Sequence, residues 1–167
     1  DDIRDRYLSR EDLLTAPVPE LRGNHAGTLV DGELPGTGGG FVRLEQTGGA
    51  APALGDLNGD GRGDGVAVIA ATSGAGGLDH CVFAYLKKNG KLTRVATFDP
   101  ARSRTETYHA YITGMVIDGG LVRLTWGTSE IGAVAGPDMA ATLRLDGDHF
   151  VVTDVHEDDH ATAAALP

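Results

Sequence analysis

Past residue 40, apolar and polar positions alternate or gather into runs of strand length. Phe41-Val42-Arg43-Leu44 alternates, whereas Gly65-Val66-Ala67-Val68-Ile69-Ala70-Ala71 is an unbroken small-apolar run. Three hairpins follow from turn chemistry between apolar runs. His80 to Leu86 meets Leu92 to Phe98 across Asn89-Gly90, two residues that tolerate the positive φ of a type I′ turn. Tyr111 to Ile117 meets Leu121 to Trp126 across Asp118-Gly119-Gly120, and Ala141 to Leu145 meets Phe150 to Thr153 across Asp146-Gly147-Asp148.

The first 40 residues lack such a pattern. Ser9-Arg10-Glu11-Asp12 has the form of a helix N-cap with an acid three residues on, and Leu13 and Leu14 supply an apolar face before Pro17 and Pro19 end it. The expectation is a small helix over 10–15, an irregular connection over 22–40 and a short strand at 28–30. The fold class is then α+β, mainly β: one largely antiparallel meander of hairpins with the helix on a face or edge. It forms a single domain over 1–167, with an N-terminal segment (1–40), a β-rich core (41–154) and an acidic C-terminal tail (155–167).

Charge and composition narrow the partners. Fourteen Lys+Arg against 24 Asp+Glu give a net charge of −10, which repels nucleic-acid phosphates. No apolar run approaches the roughly 20 residues of a membrane-spanning helix. Cys81 is the only cysteine, so an intrachain disulfide is impossible; in an apolar strand it reads as a buried, inert thiol. The 25 glycines cluster at turns instead of repeating. Trp126 falls in a predicted strand, where such residues are ordinarily core. Neither a G-x-S-x-G elbow nor a phosphate-binding G-x-x-x-x-G-K-[ST] loop occurs.

The most informative segment is Asp56-Leu57-Asn58-Gly59-Asp60-Gly61-Arg62-Gly63-Asp64, a D-x-N-x-D-G-x-x-D pattern. Ca²⁺ takes six to eight oxygens at about 2.3–2.6 Å, and acidic or amide side chains at alternate positions of a curled loop converge on one point. The expected ligands are the side chains of Asp56, Asn58 and Asp60, the carbonyl of Arg62, whose side chain points outward, and the closing carboxylate of Asp64. The loop is not an EF-hand: the twelfth position is Ala67 where a bidentate Glu belongs, and a strand-like run follows it.

The segment resembles the calcium loops of FG-GAP and VCBS repeats, whose pattern closes with Asp at the ninth position and runs straight into a strand, as Asp64-Gly65-Val66-Ala67-Val68-Ile69 does. Over about 45–154 the order of strands and turns is similar to single-copy domains of secreted or lipid-anchored bacterial envelope proteins, many actinobacterial. That resemblance implies a calcium-binding, extracytoplasmic, non-enzymatic domain with an envelope or extracellular ligand. The chain opens at Asp1 rather than Met, as a processed or trimmed chain does, so a signal or lipid-anchor segment could precede it.

A competing reading rests on His156-Glu157-Asp158-Asp159-His160, which fits H-E-x-x-H, the helical pattern of zinc hydrolases in which two histidines hold the metal and the glutamate polarises water. Its third ligand would have to come from upstream, from His25, His80 or His109, because Ala161 to Pro167 offers no ligating side chain. An acidic solvated tail explains the same residues without a metal.

Overall fold

The structure is a computed structural model describing residues 7–74, 78–103, 109–129 and 136–158. Two antiparallel sheets pack face to face. The first contains β3 (Phe41–Leu44), β4 (Ala53–Gly55), β5 (Asp64–Thr72), β6 (Asp79–Lys88) and β7 (Lys91–Phe98). Its order is β3-β5-β6-β7, with β4 also paired to β5. The second is β8 (His109–Asp118), β9 (Leu121–Ser129), β10 (Met139–Asp146) and β11 (His149–Glu157) in the order β11-β10-β9-β8. A two-stranded ribbon, β1 (Pro17–Val18) with β2 (Gly27–Thr28), lies in the N-terminal segment.

All three hairpins form at their expected turns. Asn89 (φ 52°) and Gly90 (φ 74°) both occupy the left-handed region, as a I′ turn requires, and Lys88 pairs with Lys91 across them. The hairpins nevertheless divide between two sheets. The reason lies in β5 and β6, whose residues are apolar on both faces. Val66, Val68, Val82 and Ala84 face the second sheet and join Ile112, Leu124, Trp126 and Leu143 in one core. Ala67, Ile69, Cys81, Phe83 and Tyr85 face the opposite way and need a second cover.

That cover is the N-terminal segment. Leu8, Leu13, Val18, Leu21, Leu29 and Leu34 all bury against the outer face of the first sheet. The expected helix over 10–15 is a single 3-10 turn, Asp12–Thr15. Its sequence signal is real but short: Ser9 and Asp12 exchange reciprocal bonds, the Ser9 N–H to Asp12 Oδ2 (2.8 Å) and the Asp12 N–H to Ser9 Oγ (3.2 Å). Pro17 then enters a strand, which leaves too few residues for an α-helix. Polar anchors fix the cover: the Tyr85 hydroxyl donates to Pro17 O (2.8 Å), Lys87 pairs with Asp12 (3.0 Å), and Arg22 bridges Asp79 (3.0 Å) and Asp99 (3.1 Å).

In the second sheet the inward phase changes midway along β8. Ala110 and Ile112 point inward, then Met115 does, because a bulge between Ile112 and Gly114 inserts one extra residue. The 3-10 turn Gly48–Ala50 sits at this bulge, with Gly49 so close to the Thr113 carbonyl that no side chain fits between them. A second bulge lies between β10 and β11, where Asp154 has φ 58°. Strand β11 runs to Glu157, so Val155, His156 and Glu157, assigned from sequence to the tail, belong to the sheet.

Candidate metal centre

The loop 56–64 connects β4 to β5. Gly55 and Asp64 are register partners, so the intervening residues form the end of a hairpin and curl back on themselves. Asp56 organises the curl. Its Oδ1 accepts from the N–H groups of Asn58 (3.3 Å) and Gly59 (2.8 Å), and its Oδ2 from that of Gly61 (2.9 Å). Asn58 Oδ1 accepts from the Asp60 N–H (3.2 Å), and Asp60 Oδ1 from the Arg62 N–H (2.8 Å). Each alternate polar residue thus holds the amide two or more positions ahead, the local chemistry for which Asp and Asn are favoured in turns.

The result is a carboxylate cluster: oxygens of Asp56, Asp60 and Asp64 lie within 4.8 Å of one another. The three residues can hold a metal ion. Among the described residues no other group of three His, Cys, Asp or Glu side chains converges in this way. Asn58 and Arg62 stand in the same loop, both exposed, with the Arg62 side chain in solvent as expected.

The three carboxylates differ in environment. Asp64 is only 2% exposed, accepts from the Leu57 N–H (2.9 Å) and opens a strand buried along its whole length. Burial first, then the negative charges of Asp60 and Asp56, push its pKa up to about 6 against the Leu57 hydrogen bond. Asp56 is held below its ordinary value, chiefly by the Gly61 N–H. One deep, charge-crowded carboxylate beneath two solvated ones is an arrangement that a divalent cation neutralises.

Sequence reasoning missed what surrounds the loop. The Leu8 N–H donates to Gly63 O (3.1 Å), and Tyr7 bridges to Gly63 in parallel register, so the N-terminal cover is tied to the loop's end. Paired backbone groups leave no side-chain pattern, so nothing in the residues announced it. On the other side, an open cleft of about 520 Å³ separates Asp56, Asn58 and Gly59 from the β8–β9 turn and Arg144.

The H-E-x-x-H residues take a different geometry. His156 and Glu157 are consecutive on β11, opposite Ala140 and Met139, and so point to opposite faces of the sheet. His160 lies outside the described residues. The His156 ring bonds the Asp154 carbonyl oxygen through Nδ1 (2.7 Å) and borders a shallow trough floored by Gly114, Thr125 and Ala140. The proposed upstream partners are engaged elsewhere: His25 with the Ala26 and Pro35 carbonyls, His80 with the Ile112 amide, His109 with Asp79.

Compared with family models, curated proteins and solved structures, the chain matches none.

Proposed function

We propose that the loop binds one Ca²⁺ through Asp56, Asn58, Asp60, the Arg62 carbonyl and Asp64, and that this ion staples a non-enzymatic, extracytoplasmic binding or structural module of a bacterial envelope. The convergence of three carboxylates within 4.8 Å carries the reading. The donor set is entirely oxygen, which suits a hard cation and disfavours zinc or copper. Five protein groups fall short of the six to eight that Ca²⁺ takes, leaving room for water or for a ligand in the cleft beside Arg144.

A staple is favoured over a sensor because the loop joins two strands of one hairpin and also receives the Leu8 amide. Among the described residues there is no pair of helices for the ion to open. Single-loop extracellular sites bind weakly, so a calcium-rich exterior is where such a site stays filled. An ion at ten to one hundred times its Kd adds about 1.4–2.7 kcal/mol. At about 2–4 °C per kcal/mol that is a rise of roughly 3–10 °C in Tm.

The test is a thermal melt of chelator-stripped protein with added Ca²⁺, Mg²⁺ or Zn²⁺, repeated on Asp60→Ala. A calcium-selective rise that the substitution abolishes is expected. Stabilisation by zinc alone, or equal stabilisation of wild type and Asp60→Ala, overturns the assignment.

A further inference from the structure

His80 joins the two sheets in a way that only one of its protonation states permits. Its ring leaves β6 of the first sheet, is 7% exposed, and accepts at Nδ1 the backbone N–H of Ile112 on β8, the edge strand of the second sheet (2.8 Å). A backbone amide can only donate, so Nδ1 carries a lone pair and the proton resides on Nε2. Nε2 faces Glu45 Oε1 at 3.9 Å, and the ring meets Tyr111 edge-on with centroids 6.0 Å apart. The contact falls at the β8 bulge, beside the Gly48–Ala50 turn.

We propose that His80 is a proton-operated latch: neutral, it caps the edge of β8 and holds the sheets together at the bulge; protonated, it releases Ile112 and that edge opens. A second proton must go onto Nδ1, which would set two donors against each other at 2.8 Å, so the bond breaks and the ring is drawn towards Glu45. The Ile112 amide then loses its partner in a buried setting, where an unpaired donor is costly.

The charges facing the ring oppose one another. Burial lowers the His80 pKa most, Glu45 and Asp79 raise it, Arg43 lowers it, and the balance lies below the ordinary value of 6.5. Asp79 is itself shared with Arg22 (3.0 Å) and His109 (3.1 Å), which blunts its pull. The unfolded chain therefore takes up the proton first as pH falls. The latch's contribution is complete above 6.5 and is lost as pH falls through the depressed folded value.

The experiment is residue-resolved amide exchange on the intact chain from pH 7.5 to 5, corrected for intrinsic base catalysis, with the ring ¹⁵N shifts of His80. Protection of Ile112 should fall as pH drops below 6.5, by at most about tenfold per pH unit and levelling off below the depressed folded value, with Nδ1 unprotonated at pH 7.5. His80→Asn, whose carbonyl offers an acceptor at the δ position with no titration, should hold Ile112 protected throughout; His109→Gln should leave the wild-type profile in place. Constant Ile112 protection in wild type overturns the latch, as does the same pH loss in His80→Asn. If that variant does not fold, a protonated Nδ1 in the wild-type spectrum at pH 7.5 is enough to reject it.

Discussion

Replacing Asp64 with Asn should stabilise the metal-free protein while abolishing its response to calcium. In wild type the Asp64 carboxylate is buried and crowded by Asp56 and Asp60, with a pKa of about 6 against 3.8 for an ordinary aspartate. Two pKa units at about 1.4 kcal/mol each make the ionised form roughly 3 kcal/mol less comfortable in the fold than in the unfolded chain at neutral pH. Asparagine keeps the shape and an acceptor for the Leu57 N–H but no charge; weakening that charge-assisted bond costs about 1 kcal/mol. A net gain of about 2 kcal/mol remains, or roughly 4–8 °C in Tm. The sign can be checked with pH. Because the folded pKa lies above the unfolded one, the native state binds the extra proton between 3.8 and about 6, so the penalty is full above that window and gone below it. The advantage of Asp64→Asn, measured by calorimetry in chelator, should therefore be present at pH 7.5 and absent near pH 4, and added Ca²⁺ should shift wild type alone. A variant that melts below wild type in chelator at pH 7.5 refutes the electrostatic account of this loop.

Two further outcomes test the packing. Gly49→Ala would drive a Cβ into the Thr113 backbone carbonyl, which cannot rotate away, so the Gly48–Ala50 turn must lift off β8 at a cost of about 1–3 kcal/mol; Gly39→Ala, which meets open space, should be neutral in the same denaturant titration. Cys81 is 2% exposed, and burial pushes its thiol pKa up to about 12, so a thiol-reactive chromophore at pH 8 should label it only after denaturation; rapid stoichiometric labelling of native protein would contradict the two-sided burial of β6.

What the residues announced and what they concealed follow from range. Asn89-Gly90, Gly119-Gly120 and the D-x-N-x-D-G-x-x-D loop each encode their shape in φ preferences and side-chain-to-amide bonds within a few positions, and each stands where it was expected. The loop's carboxylates converge for the same local reason. The partition of hairpins between two sheets was also written in the chain, in the two-sided apolar character of Val66 to Ala71, but that run says only that both faces need cover, not what supplies it. The cover, Leu8 to Leu34, has no period because its leucines come from unlike short pieces, Leu13 from a 3-10 turn, Leu21 from an isolated bridge and Leu8, Leu29 and Leu34 from connecting segments, so they share a surface without sharing a helix or strand. The H-E-x-x-H pattern misleads for the complementary reason: its spacing has meaning only at 3.6 residues per turn, and on β11, with a period of two, His156 and Glu157 diverge. His80 is the extreme case. Nothing local distinguishes it from a core histidine, and its role rests on the Ile112 amide, which lies over 30 residues away in sequence at the β8 bulge and donates to its ring. Local chemistry thus locates the ion loop, while the contact that makes the sheet interface sensitive to protons arises from tertiary register alone.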